Sequence, residues 1–88
     1  MIPTIIYKYP LGGPSPTIPR HSHVLHIGLQ GGQPFAWCES LTDQLDNTEP
    51  SSVVLVPTGQ EFDPTGLTFM GTILFLDGGL VIHFYRTH

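Results

Sequence analysis

Leu67-Thr68-Phe69-Met70-Gly71-Thr72-Ile73-Leu74-Phe75-Leu76-Asp77-Gly78-Gly79-Leu80-Val81-Ile82-His83-Phe84-Tyr85-Arg86 decides the fold. Two runs rich in β-branched and aromatic residues flank an Asp-Gly-Gly turn signal, which predicts a hairpin of residues 67–76 and 80–86. Strict alternation puts Phe69, Ile73 and Phe75 on one face and Met70, Leu74 and Leu76 on the other. A strand apolar on both faces is buried on both faces. The hairpin is therefore expected to be central in a barrel or sandwich, or to meet another subunit with one face.

Working outward, Val53 to Val56 is a short apolar strand stopped by Pro57, and residues 58–66 form a loop. Further back, 23–30 and 34–39 read as a second hairpin around Gly31-Gly32, whose glycines supply positive φ. On alternation Leu25, Ile27 and Leu29 face one way and Val24, His26 and Gly28 the other. Residues 5–9 are a first strand, with Tyr7 and Tyr9 on one face and Lys8 opposite. The segment from Pro10 to Pro19 is too rich in Pro and Gly for a helix or central strand, and leaves room for one short pairing near Thr17-Ile18. Residues 40–52, with Asp43, Asp46, Asn47 and Glu49, read as a solvated loop in preference to one helical turn. The expected fold is all-β: one domain over 1–88, a small antiparallel barrel or strongly twisted sheet of about six strands, with chain neighbours paired.

Composition excludes several classes. The chain has 88 residues, three Lys+Arg, seven Asp+Glu and a formal net charge of −4. So few cations argue against a phosphate-tracking nucleic-acid surface. No apolar run approaches the length of a helical membrane span. One cysteine, Cys38, allows no internal disulfide. The N-terminal stretch lacks the basic and apolar regions of a signal peptide, so a cytoplasmic protein is expected.

Catalytic patterns are poor. Ser15, Ser22, Ser40, Ser51 and Ser52 are expected in loops, without a nucleophile-elbow pattern. The carboxylates are also expected mostly in loops, Glu61, Asp63 and Asp77 among them. Cys38 has no basic sequence neighbour to lower its pKa and reads as an inert thiol. His21, His23 and His26 have a metal-ligand spacing, with Cys38 or His83 as further candidates, but their expected role is structural or at the surface. His83 shares a face with Val81 and Tyr85 and is expected to be held by one hydrogen bond. Trp37 shares a face with Phe35 and Glu39; it is a core anchor or, with Tyr7 or Tyr9, a stacking platform for a planar ligand. The Thr58-Gly59 turn has backbone N–H groups of the kind that hold anions, but no phosphate-loop pattern surrounds it. The expected protein is not an enzyme, and no cofactor or metal is assigned.

Five short motifs follow one another: Ile6-Tyr7-Lys8-Tyr9-Pro10, Gln33-Pro34-Phe35-Ala36-Trp37, Val56-Pro57-Thr58-Gly59, Met70-Gly71-Thr72, and Asp77-Gly78-Gly79-Leu80-Val81-Ile82-His83-Phe84. In that order and spacing the chain resembles a family of small bacteriophage and prophage proteins of unknown function. The resemblance spans nearly the whole chain and implies a viral or prophage origin and little more; joined to the cytoplasmic expectation above, that makes the host cytoplasm the expected location. Compact phage proteins of this kind act by binding, and one class sequesters nucleotide messengers of host defence. Such a sponge needs an aromatic stacker, a few cations and backbone donors. The candidate ligand-binding residues are then Tyr7, Lys8, Tyr9, Arg20, Trp37, Thr58, Gly59, His83 and Arg86. The alternative is an interaction module that blocks a host protein or serves in virion assembly. A chain this short gains core by self-association, so a homodimer or larger assembly is expected.

Overall fold

In the computed structural model, which describes residues 1–45 and 49–88, the chain is all-β, with seven strands in two antiparallel sheets. The strands are β1 (Thr4–Pro10), β2 (Thr17–Ile18), β3 (His23–Gln30), β4 (Gln33–Leu41), β5 (Ser51–Pro57), β6 (Leu67–Phe75) and β7 (Leu80–Thr87). One sheet has the order β1-β4-β3 and the other β2-β5-β7-β6, and they do not close into a barrel. The strand beyond the expected six is the short pairing at Thr17-Ile18, which lies antiparallel to Ser51 and Ser52.

Both expected hairpins form. Gly31 and Gly32, at φ 59° and 78°, provide the two consecutive positive-φ positions of a tight two-residue loop between Gln30 and Gln33. The β6–β7 turn is shifted from expectation. Leu76 leaves the strand and, with Asp77, takes φ 52° and 55°.

Chain neighbours do not pair throughout: β5 skips β6 and lies against β7, and β1 lies against β4. The nine-residue segment 58–66 frees β6 from the edge of β5. That places β7 centrally and leaves β6 at an edge. Ser40, Ser51 and Ser52 belong to strands rather than loops. The polar stretch begins with a 3-10 turn, Thr42–Gln44, where a loop was the preferred expectation. Asp46 and Asn47 lie outside the described residues.

The inner faces of both sheets share one core: Leu11, Ile18, Ile27, Ala36, Cys38, Val53, Ile73, Ile82 and Phe84. Phe84 is fully buried, a contribution of about 1.5–3 kcal/mol for such a side chain. Two bulges correct the simple alternation. In β6 the register slips between Phe69 and Gly71, so Phe69 sits opposite Tyr85 on the outer face while Met70 packs against the core. In β3 it slips between Val24 and His26, so Val24 lies opposite buried Cys38 and joins the inner face. Both bulges release one residue from the ladder and bend the strand. β3 and β6 are also the strands that pack alongside one another at the seam between the sheets.

The seam depends on a glycine. A Cβ added at Gly71 would stand 2.7 Å from Ile27 Cγ1 and 2.8 Å from its Cδ1. Only a residue without a side chain lets the strands approach this closely.

Candidate functional site

The outer face of the three-stranded sheet carries the densest set of polar and aromatic groups. Register aligns Lys8, Trp37 and His26 in one row across β1, β4 and β3. Pro10, Phe35 and Gly28 form the next row, and Ile6, Glu39 and His23 the row on the other side. The Trp37 ring centre lies 5.6 Å from that of His26 and 6.3 Å from that of Phe35. Lys8 Nζ stands 4.6 Å from the Phe35 ring centre and donates a 2.6 Å hydrogen bond to Gln30 Oε1. Gly28 makes room for the imidazole: a Cβ there would come within 2.9 Å of His26 Nε2. The result is a half-exposed aromatic platform with one ammonium fixed above its edge, suited to a flat ligand that carries negative charge.

Beside the platform is an open cleft of about 330 Å³, lined in part by His21, His23, Glu39 and Ser40. Ser40 is buried, and its Oγ finds no hydrogen-bond partner among the described residues. His23 lies opposite Glu39, whereas Cys38 is buried on the other face, so Cys38 cannot complete a set with the histidines. Among the described residues, no three His, Cys, Asp or Glu side chains are grouped to hold a metal ion.

The remaining candidates from sequence are dispersed. Tyr7 and Tyr9 lie opposite Cys38 and Ala36, on the inner face, so neither can stack beside Trp37. Their rings meet edge-on at 6.5 Å. Burial pushes the Tyr9 phenol up, with Cys38 and Tyr7 adding to the effect.

Arg86 also points inward and ties the β2–β3 connection to the sheet. Its guanidinium donates to the carbonyl oxygens of Ser22, Pro19 and Arg20 at 2.8–2.9 Å and to Ser51 Oγ at 3.0 Å. Burial lowers its pKa; Cys38 opposes this and Arg20 reinforces it. Arg20 donates to the carbonyls of Glu49 and His88, and its guanidinium lies 3.8 Å from the Glu49 carboxylate. Burial also pushes the Cys38 thiol up, outweighing Ser22 and Arg86, which pull it down. The chain thus gives Cys38 a basic neighbour that the local sequence does not show.

Thr58, Gly59 and His83 form a third group, at the four-stranded sheet. His83 makes two hydrogen bonds rather than one: Nε2 to Thr58 Oγ1 and Nδ1 to Thr72 Oγ1, both 2.8 Å. The Thr58 N–H is taken by the Val81 carbonyl and that of Gln60 by the Pro57 carbonyl. Gly59, at φ 93°, fits the third position of this Pro57–Gln60 turn. Two of the turn's backbone donors are therefore already used, which weakens its case as an anion holder.

With this geometry in view, the sequence model of a domain of unknown function, DUF7352, matches residues 3–88. The chain belongs to that family. No curated protein and no solved structure matches it. Of the expected ligand-binding residues in this DUF7352 domain, Lys8 and Trp37 come together. His26, Phe35, Gln30 and Gly28 complete the group and were missed. The alternation of the 23–30/34–39 hairpin held a signal for His26, since it puts His26 and Gly28 on one face. The pairing of β1 with β4, which adds Lys8, had no such signal.

Proposed function

We propose that the protein is a non-enzymatic binding protein whose ligand is a nucleotide, held on the platform of Trp37, His26 and Phe35 with Lys8 as its cation. The observation that carries this reading is the position of Lys8 Nζ, over the Phe35 edge of an exposed aromatic surface. A base stacks on an indole in a way that tolerates its identity, while an ammonium at the edge attracts phosphate. The resemblance to phage proteins supports a messenger of host defence as the ligand class, sequestered in the host cytoplasm.

Trp37 is the only tryptophan, so its fluorescence reports directly on the platform. Titration with mononucleotides and cyclic dinucleotides should quench or shift that emission saturably. Lys8→Ala should weaken binding about tenfold, within the range of a stacked or charge-assisted contact. Fluorescence and calorimetry that both stay flat across the panel would overturn the reading. A second reading, a module that adds a strand to a partner protein, draws on the open edge of β1. Recovery of one host or virion protein in stoichiometric amount, lost on β1-edge substitution, would favour it.

A further inference from the structure

We infer that the outer face of the four-stranded sheet is the surface by which two copies of this chain pair. This inference is independent of the nucleotide reading, which concerns the other sheet.

The face is built by register. Leu67, Phe69, Thr72 and Leu74 of β6 lie opposite Thr87, Tyr85, His83 and Val81 of β7. Val54 of β5 lies opposite Tyr85 and extends the same face, while Val56, opposite His83, is buried. Phe62, from the 58–66 loop, comes to 5.1 Å from the Tyr85 ring, and Phe69 flanks that ring at 5.4 Å. The two threonines that occupy both nitrogens of His83 fix its ring within the patch. The bulge at Met70 matters here, because it turns Phe69 outward.

Three properties favour a second copy as the occupant. First, the paired strands place no Asp, Glu, Lys or Arg on this face, and the nearest carboxylates in sequence, Glu61, Asp63 and Asp77, lie in the flanking loop and turn. Two chains of net charge −4 repel each other, and a charge close to a two-fold axis would face its own copy. An uncharged surface is where this chain can meet itself.

Second, the area is adequate. Phe62, Phe69, Leu74 and Leu76 are 41%, 56%, 59% and 81% exposed. At roughly 200 Å² for a large side chain fully open to water, they leave about 470 Å² uncovered. A standard interface takes about 800 Å² per partner, of which some 56–65% is apolar. The exposed patch supplies that apolar share.

Third, Leu76 is held at φ 52° at the adjoining turn, a left-handed conformation that a leucine adopts at a steric cost. A lone chain gains neither stability nor solubility from a strained, exposed leucine. An interface gains an apolar anchor.

The test is the mass in solution, by light scattering after size exclusion and by sedimentation over a range of concentrations. The wild-type chain should run at twice 9.7 kDa and dissociate on dilution. Leu74→Asp and Phe69→Asp should each raise the dissociation constant about tenfold or more. Both sites are exposed, so circular dichroism melts at a dilution where the wild-type chain is also unpaired should be unchanged. Ile6→Asp is the control: Ile6 is 53% exposed but lies on the outer face of the other sheet, and its substitution should leave pairing intact. A wild-type monomer at every concentration overturns the inference. So does a dimer that survives both Asp variants, or one that Ile6→Asp dissociates.

Discussion

Gly71→Ala tests the seam between the sheets. The added methyl would sit 2.7 and 2.8 Å from two carbons of Ile27, where apolar carbons normally rest about 3.5–4.0 Å apart. Ile27 belongs to the buried core, so it cannot swing into solvent. Overpacking of this kind costs about 1–3 kcal/mol. Gly71 also has φ 156°, and an alanine there adds strain on the order of 1 kcal/mol. A loss of about 3 kcal/mol is expected, against a total near 4–13 kcal/mol for a domain of this length. That corresponds to a fall in Tm of about 12–24 °C. Urea unfolding followed by circular dichroism measures it. Ile27→Ala alone should cost about 2–4 kcal/mol by leaving a cavity. In the double variant the alanine methyl enters space that Ile27 has vacated, so the losses should fall short of additivity by about 1 kcal/mol or more. A Gly71→Ala protein within about 0.5 kcal/mol of wild type, or strictly additive losses, would refute the close-approach argument.

Replacing Arg86 by Met should cost about 2–4 kcal/mol in urea unfolding, because it strips donors from three carbonyls and Ser51 Oγ. The thiol of Cys38 and the phenol of Tyr9 both hold their protons more tightly in the fold than in the open chain. Above about pH 8.5 the unfolded state releases protons that the native state keeps, so stability should fall as pH rises, and Cys38→Ala should flatten the first part of the fall in a thermal melt series. Leu76→Asn should raise the Tm measured at low protein concentration by a few degrees, since asparagine accepts the left-handed conformation better than leucine. The same variant should weaken pairing, so the two effects separate as protein concentration is varied.

The fold class was legible because its signals are local. Gly31-Gly32 marks one hairpin, Asp77-Gly78-Gly79 the other, and the proline-rich 10–19 segment excludes a helix there. The tyrosines and Lys8 fell on the expected opposite faces for the same reason, the two-residue period of a strand. The bulges had no readable mark. Neither Met70 nor Leu25 differs in type from a residue that would stay in register, so Phe69 and Val24 were put on the wrong faces. Long-range pairing was equally hidden. Only once β1 lies against β4 does Lys8 reach the Trp37 row, and only once β7 lies beside β5 does Arg86 reach Ser51. His26 seemed to belong with His21 and His23 because they are near in sequence, whereas the sheet pairs it with an indole.

The slipped pairing in β6 has an evolutionary consequence. Removing the single residue Met70 would restore uninterrupted pairing and leave Leu67 and Phe69 opposite Thr87 and Tyr85, on the same outer surface as before. A one-codon deletion would thus keep the aromatic ring on the outside and take away only the methionine that packs against the core. A lineage could lose that codon and keep its sticky exterior, whereas a slip of the strand by one place with the codon retained would exchange the two surfaces in one step.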